Sequence, residues 1–102
     1  MAMKKDVKQI IAGYFKNQPI EKAWLFGSFS RGEATRRSDV DILVRFTPNS
    51  RISLFTHAGM MVDLQELLKR KVDLVEEGQL CDFAVESVEQ DKILIYERTI
   101  EG

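Results

Sequence analysis

Leu25-Phe26-Gly27-Ser28-Phe29-Ser30-Arg31-Gly32-Glu33-Ala34-Thr35-Arg36-Arg37-Ser38-Asp39-Val40-Asp41-Ile42-Leu43-Val44 is the segment around which the rest of the chain arranges itself. An apolar run on each side reads as a buried strand, and the first run ends in the small-residue turn Gly27-Ser28. Asp39 and Asp41 are two residues apart, which on a strand puts both carboxylates on one face. Held side by side among Val40, Ile42, Leu43 and Val44, they would repel each other and lose hydration. A bound divalent cation is the usual means of reversing that cost.

Outward from this segment the periodicities are clear. Met3, Val7, Ile10, Ile11, Tyr14 and Phe15 recur at helical spacing over residues 3–16, and Asn17-Gln18-Pro19 stops that helix. The first strand runs Glu21–Phe26 and the second Val40–Phe46, with a short helix expected after the Gly-Ser turn. Thr47-Pro48-Asn49-Ser50 has the composition of a loop. Leu54, Ala58, Met61, Leu64 and Leu68 mark an amphipathic helix over 53–69. Lys71–Glu76 reads as a third strand, Asp82–Gln90 as a helix and Ile93–Tyr96 as a short last strand.

The 102 residues form one small domain, 1–102, with a modest core and no separate substrate-binding domain. A content of 44% apolar and 30% charged residues is that of an ordinary globular protein. The net charge of −1 gives no footprint of a general nucleic-acid binder. Five of the seven arginines (Arg31, Arg36, Arg37, Arg45, Arg51) nevertheless cluster around the motif. Cys81 is the only cysteine, so an internal disulfide is excluded, and its thiol reads as structural or incidental. Neither a signal-peptide core nor a membrane-length apolar run is present, which makes the cytoplasm the expected compartment. His57 has Met61 at i+4 instead of a second ligand, so it reads as a surface or packing residue. Trp24 reads as a sheet residue packed against a helix, and Glu76-Glu77 as solvated loop charge.

Gly-Ser followed by Asp-x-Asp, with Ser30-Arg31-Gly32-Glu33-Ala34 between them and Lys71-Val72-Asp73-Leu74-Val75 downstream, resembles the signature of the polymerase-beta-like nucleotidyltransferase superfamily. More narrowly it is similar to the minimal nucleotidyltransferase (MNT) domains, many of them antitoxins of prokaryotic toxin–antitoxin pairs. The resemblance implies an α/β fold of the α+β kind, a small mixed sheet packed with helices. For the motifs to meet, the first two strands run antiparallel, while the second and third run parallel and are joined by the 53–69 helix as a right-handed crossover. It also implies Asp39, Asp41 and Asp73 as catalytic and metal-binding residues, with two Mg²⁺ ions, ATP as substrate and Asp73 as general base. Gly27, Ser28 and Arg31 are the expected nucleotide-binding residues. Gly27 would let the backbone approach a phosphate or take a positive φ, and Ser28 would donate its hydroxyl or cap a helix.

The function implied is transfer of AMP from ATP to a protein hydroxyl, with a helical HEPN-domain toxin as the partner. Two alternatives stand beside it. One is a non-catalytic antitoxin that masks its partner by binding. The other is a small-molecule transferase like the aminoglycoside-modifying relatives, although those carry additional helical domains. An oligomer is compatible with the pattern.

Overall fold

The computed structural model describes residues 7–27, 39–48, 50–78 and 90–99. Its element order is α1 (Val7–Phe15), β1 (Ile20–Phe26), β2 (Val40–Phe46), α2 (Leu54–Leu68), β3 (Val72–Glu76) and β4 (Ile93–Glu97). The expected helix after the Gly-Ser turn and most of the one over 82–90 lie outside the described residues, as does Cys81.

The four strands form one sheet in the order β3-β2-β1-β4. β1 pairs antiparallel with β2, and β2 pairs parallel with β3, both as the placement of the motifs required. β4 adds to the free side of β1, also antiparallel. A register shift between Ile20 and Lys22 changes the alternation of β1. Ile20 and Ala23, three residues apart, therefore both reach the helix-covered face.

Both helices cover one face of the sheet. Ile11 and Phe15 of α1 and Met60, Leu64 and Leu68 of α2 pack with Ala23, Leu25, Val40, Ile42, Val44, Val72 and Leu74. The buried stripe of α2 is Met60-Leu64-Leu68 with Met61 partly buried beside it, so of the expected line Leu54, Ala58, Met61, Leu64 and Leu68 the last three meet the core, while Leu54 and Ala58 are exposed. Leu54, at 87% exposure, stands out in solvent. Among the apolar residues of α2, burial against the core thus begins at Met60.

The ends of these helices are set locally. Ser53 caps α2, its side chain accepting a 3.1 Å bond from the Thr56 amide. Lys69 ends α2 in the left-handed conformation, at φ 56° and ψ 37°. Arg98, just past β4, donates from Nη2 to the carbonyls of Lys16 (2.7 Å), Gln18 (3.0 Å) and Phe15 (3.3 Å). It thereby adds a side-chain donor at the end of α1 and the turn that follows, where the Phe15 and Gln18 carbonyls also accept from the Gln18 and Ile20 amides.

The other face carries a smaller cluster. Trp24 and Leu43 are buried there, with Phe26 and Val75 against them. Trp24 is therefore not among the residues packed under α1 and α2; Lys92 Nζ lies 4.6 Å and the Arg45 guanidinium 5.6 Å from its ring centroid. Glu76 closes β3, and Glu77, expected as free loop charge, accepts two bonds from Arg45 Nη2, at 2.9 and 3.1 Å. These contacts hold Arg45 firmly protonated, the Glu77 hydrogen bonds contributing most.

Candidate functional site

The Trp24 face ends, on one side, in acidic residues. Asp41 of β2 and Asp73 of β3 are direct partners across the parallel ladder. Partners in a parallel pair project to the same side, so the two carboxylates share the face opposite the helices, on strands roughly 5 Å apart. Their neighbours Val40, Ile42, Val72 and Leu74 are buried on the other side. Strand alternation alone thus separates the acidic positions from the core.

Phe26, the last residue of β1, is the antiparallel partner of Asp41. The chain then turns at Gly27, whose φ of +72° lies in the region that only glycine enters without strain. A Cβ built on Gly27 would stand 2.5 Å from Asp41 Oδ2 and 3.4 Å from its Cγ. The expected positive φ is therefore present, and the close neighbour on this side of Gly27 is the Asp41 side chain. What fills the space is the carboxylate of Asp41.

Asp39 is exposed and precedes the first residue of β2. Ser28 and Arg31 lie outside the described residues. The structure thus brings together Gly27, Asp41 and Asp73. Among the described residues no group of three or more His, Cys, Asp or Glu side chains is gathered closely enough to hold a metal ion. Mg²⁺ does not require such a cage: it is commonly held by one or two carboxylates together with substrate phosphates and water. The in-register pair Asp41 and Asp73 offers the hard oxygen donors that this mode uses.

Clefts elsewhere on the described surface do not reach these residues. One of about 380 Å³ opens between Arg45, Thr47, Ser50 and Glu76, and another of about 500 Å³ lies where Ile10 and Tyr14 of α1 approach Leu67 of α2. Neither contains Asp41 or Asp73.

Two residues near the site carried no functional signal in the sequence. His57 places its Nε2 2.6 Å from the Leu74 carbonyl and its ring edge-on to Phe46, so the expected packing role is joined by a bond to the strand that bears Asp73. Gln65 accepts at Oε1 from the Val72 amide at 3.2 Å. Neither partnership is visible before the edge position of β3 is known.

Comparison with known proteins agrees with this fold. The nucleotidyltransferase domain family matches residues 5–95. The candidate protein adenylyltransferase MJ1379 of Methanocaldococcus jannaschii is 30% identical over 95 residues, covering 88% of this chain and 95% of its own. A solved structure of a candidate minimal nucleotidyltransferase is 28% identical, with a TM-score of 0.70 over 90% of this chain and 98% of that one. A toxin–antitoxin structure with AMP-PNP superposes with a TM-score of 0.75 at 22% identity, over 89% and 73% of the two chains. A complex of tri-AMPylated Shewanella oneidensis HEPN toxin with its MNT antitoxin gives a TM-score of 0.62 at 18% identity, over 89% and 73%. The last two likenesses are likenesses of fold. Among the described residues no helix is long and apolar enough to cross a membrane.

Proposed function

Because this chain belongs to the nucleotidyltransferase domain family, we propose that it transfers AMP from ATP to a hydroxyl of a partner protein, and that the partner is a HEPN-type toxin neutralised by the modification. The observation that carries this reading is the meeting of Asp41, Asp73 and Gly27 on the sheet face opposite α1 and α2.

In this reading the attacking hydroxyl oxygen forms a bond to the α-phosphorus, the bond to the bridging oxygen breaks, and pyrophosphate leaves. Asp73 takes the proton of the attacking hydroxyl as general base. Asp39 and Asp41 are the residues that would hold Mg²⁺, with Asp73 available to a second ion. When bound, Mg²⁺ neutralises charge on the phosphate oxygens and on the leaving pyrophosphate. Gly27 keeps its side clear so that the Asp41 carboxylate retains its place. Ser28 and Arg31 contact the triphosphate, the first through its hydroxyl and the turn that follows it, the second through its charge. The relatives support the donor chemistry and the protein acceptor: one is a candidate protein adenylyltransferase, and one complex holds an AMPylated toxin.

The test is mass spectrometry of the co-encoded partner after incubation with this chain, ATP and Mg²⁺. Added AMP units are expected with wild type and absent with Asp39→Asn or Asp41→Asn. Melting in EDTA serves as the control, since neutralising one of two like charges leaves the metal-free fold at least as stable. Full neutralisation of the toxin by Asp41→Asn, with no added mass, would show that the chain acts by masking its partner.

A further inference from the structure

Among the described residues β3 is an edge strand, with β2 on one side only. In a parallel ladder alternate residues turn their backbone groups toward the neighbour. The Lys71 carbonyl accepts from the Val40 amide at 2.9 Å, and the Glu77 amide donates to the Val44 carbonyl at 2.7 Å. Asp73 and Val75 fall on this inward phase, so Val72 and Leu74 turn outward, where a fifth strand would stand. α2 supplies what that strand would have supplied. Gln65 Oε1 accepts from the Val72 amide at 3.2 Å, and His57 Nε2 lies 2.6 Å from the Leu74 carbonyl. A carbonyl only accepts, so Nε2 carries the proton and donates. The two bonds hold the residue before Asp73 and the residue after it.

We infer that His57 and Gln65 are positioning residues for Asp73: acting from the crossover helix as a substitute neighbour strand, they set where the Asp73 carboxylate stands opposite Asp41. The inference rests on the proposed role of Asp73 as general base. Neither side chain touches reacting atoms. Their effect is on the backbone freedom of residues 72–74, in a strand of five residues paired on one side. Misplacement of a catalytic group by about 1 Å costs up to roughly 100-fold in rate, so loss of either bond acts on turnover. ATP affinity depends instead on the Gly27 end and the β2 carboxylates, and stays as it is.

Four variants test this: His57→Phe, which keeps an aromatic ring against Phe46 but has no donor; His57→Gln, which restores a donor of similar reach; Gln65→Leu; and Asp73→Asn. Initial rates of AMP transfer to the co-encoded partner are read against ATP concentration, and amide hydrogen exchange is followed along β3 without nucleotide. His57→Phe and Gln65→Leu should lower kcat at least 10-fold with KM for ATP within 2-fold of wild type, and should speed exchange at the β3 amides at least 10-fold. His57→Gln should recover most of both. Adding His57→Phe to Asp73→Asn should change the residual rate no further, because the positioned group is already gone. Wild-type kcat and wild-type exchange in His57→Phe and Gln65→Leu, with Asp73→Asn inactive, would overturn the positioning role and leave the function standing. Equal losses of kcat in His57→Phe and His57→Gln would overturn it too. Full turnover by Asp73→Asn would remove the base itself, and the inference with it.

Discussion

Gly27→Ala is the substitution whose consequences the geometry determines most closely. Two costs are expected. The backbone cost follows from φ +72°, a region that disfavours a residue with a Cβ by about 1–2 kcal/mol. The steric cost arises because the new Cβ would lie 2.5 Å from Asp41 Oδ2. That is almost an ångström inside the 3.4 Å at which ordinary contact begins. The carboxylate has to swing away, which costs about 0.5–1.5 kcal/mol if it leaves a staggered rotamer. Together they predict a loss of about 1.5–3.5 kcal/mol, read in urea unfolding, or a fall in Tm of about 6–28 °C for a chain of this size.

Gly78 provides the comparison, with φ +97° and nothing within 4 Å of its built Cβ. Gly78→Ala should therefore show the backbone cost alone. A double-mutant cycle isolates the rest. In an Asp41→Ala background the atoms at 2.5 and 3.4 Å are gone, and the nearest remaining contact is the Asp41 Cβ at 3.7 Å. Gly27→Ala should then be about 1 kcal/mol milder than in wild type. An equal cost in both backgrounds would refute the claim that the glycine exists to admit the Asp41 carboxylate. Turnover provides a second readout: displacement of Asp41 by about 1 Å should reduce AMP transfer up to roughly 100-fold.

Lys69→Gly should stabilise the protein by about 1 kcal/mol in urea unfolding, since Lys69 ends α2 at φ 56° with a Cβ, while Lys69→Ala should leave stability nearly unchanged. Arg98→Ala should cost about 2 kcal/mol through loss of its bonds to the Phe15, Lys16 and Gln18 carbonyls. Arg98→Lys should recover only part of that in the same measurement, because an ammonium does not reproduce the guanidinium fork. Tyr14 donates a 2.6 Å bond to Asp63, and burial, then this bond, then the Asp63 charge raise its pKa above the ordinary 10.0. The folded state therefore keeps the Tyr14 proton after the unfolded chain has released it. The resulting stability is complete below pH 10 and declines as the pH rises further, and a Tyr14→Phe variant should show a shallower alkaline decline in melting temperature.

What the chain reveals without coordinates is what depends on near neighbours. Val40–Phe46 is a continuous apolar run interrupted only by Asp41 and Arg45, and it forms β2 with the expected bounds. α2 and β3 differ from expectation by a residue at their ends, because caps such as Ser53 and Lys69 are local signals. The strand directions were also legible, since motifs that share chemistry must meet. The stripe α2 buries was legible only in part: Leu64 and Leu68 were expected and are buried, whereas Leu54 and Ala58 fit the same period yet stand exposed. Trp24 shows the same limit: alternation separates the two faces of β1, but only the packed sheet shows which one the helices cover. At the site, a glycine before the strand turn was readable as a need for space, yet the occupant of that space comes from residue 41 on another strand. His57 and Gln65 lie furthest from sequence. Their partners are the outward backbone groups of β3, and those groups face α2 only because β3 is the edge of a sheet whose order is set by contacts across the whole chain.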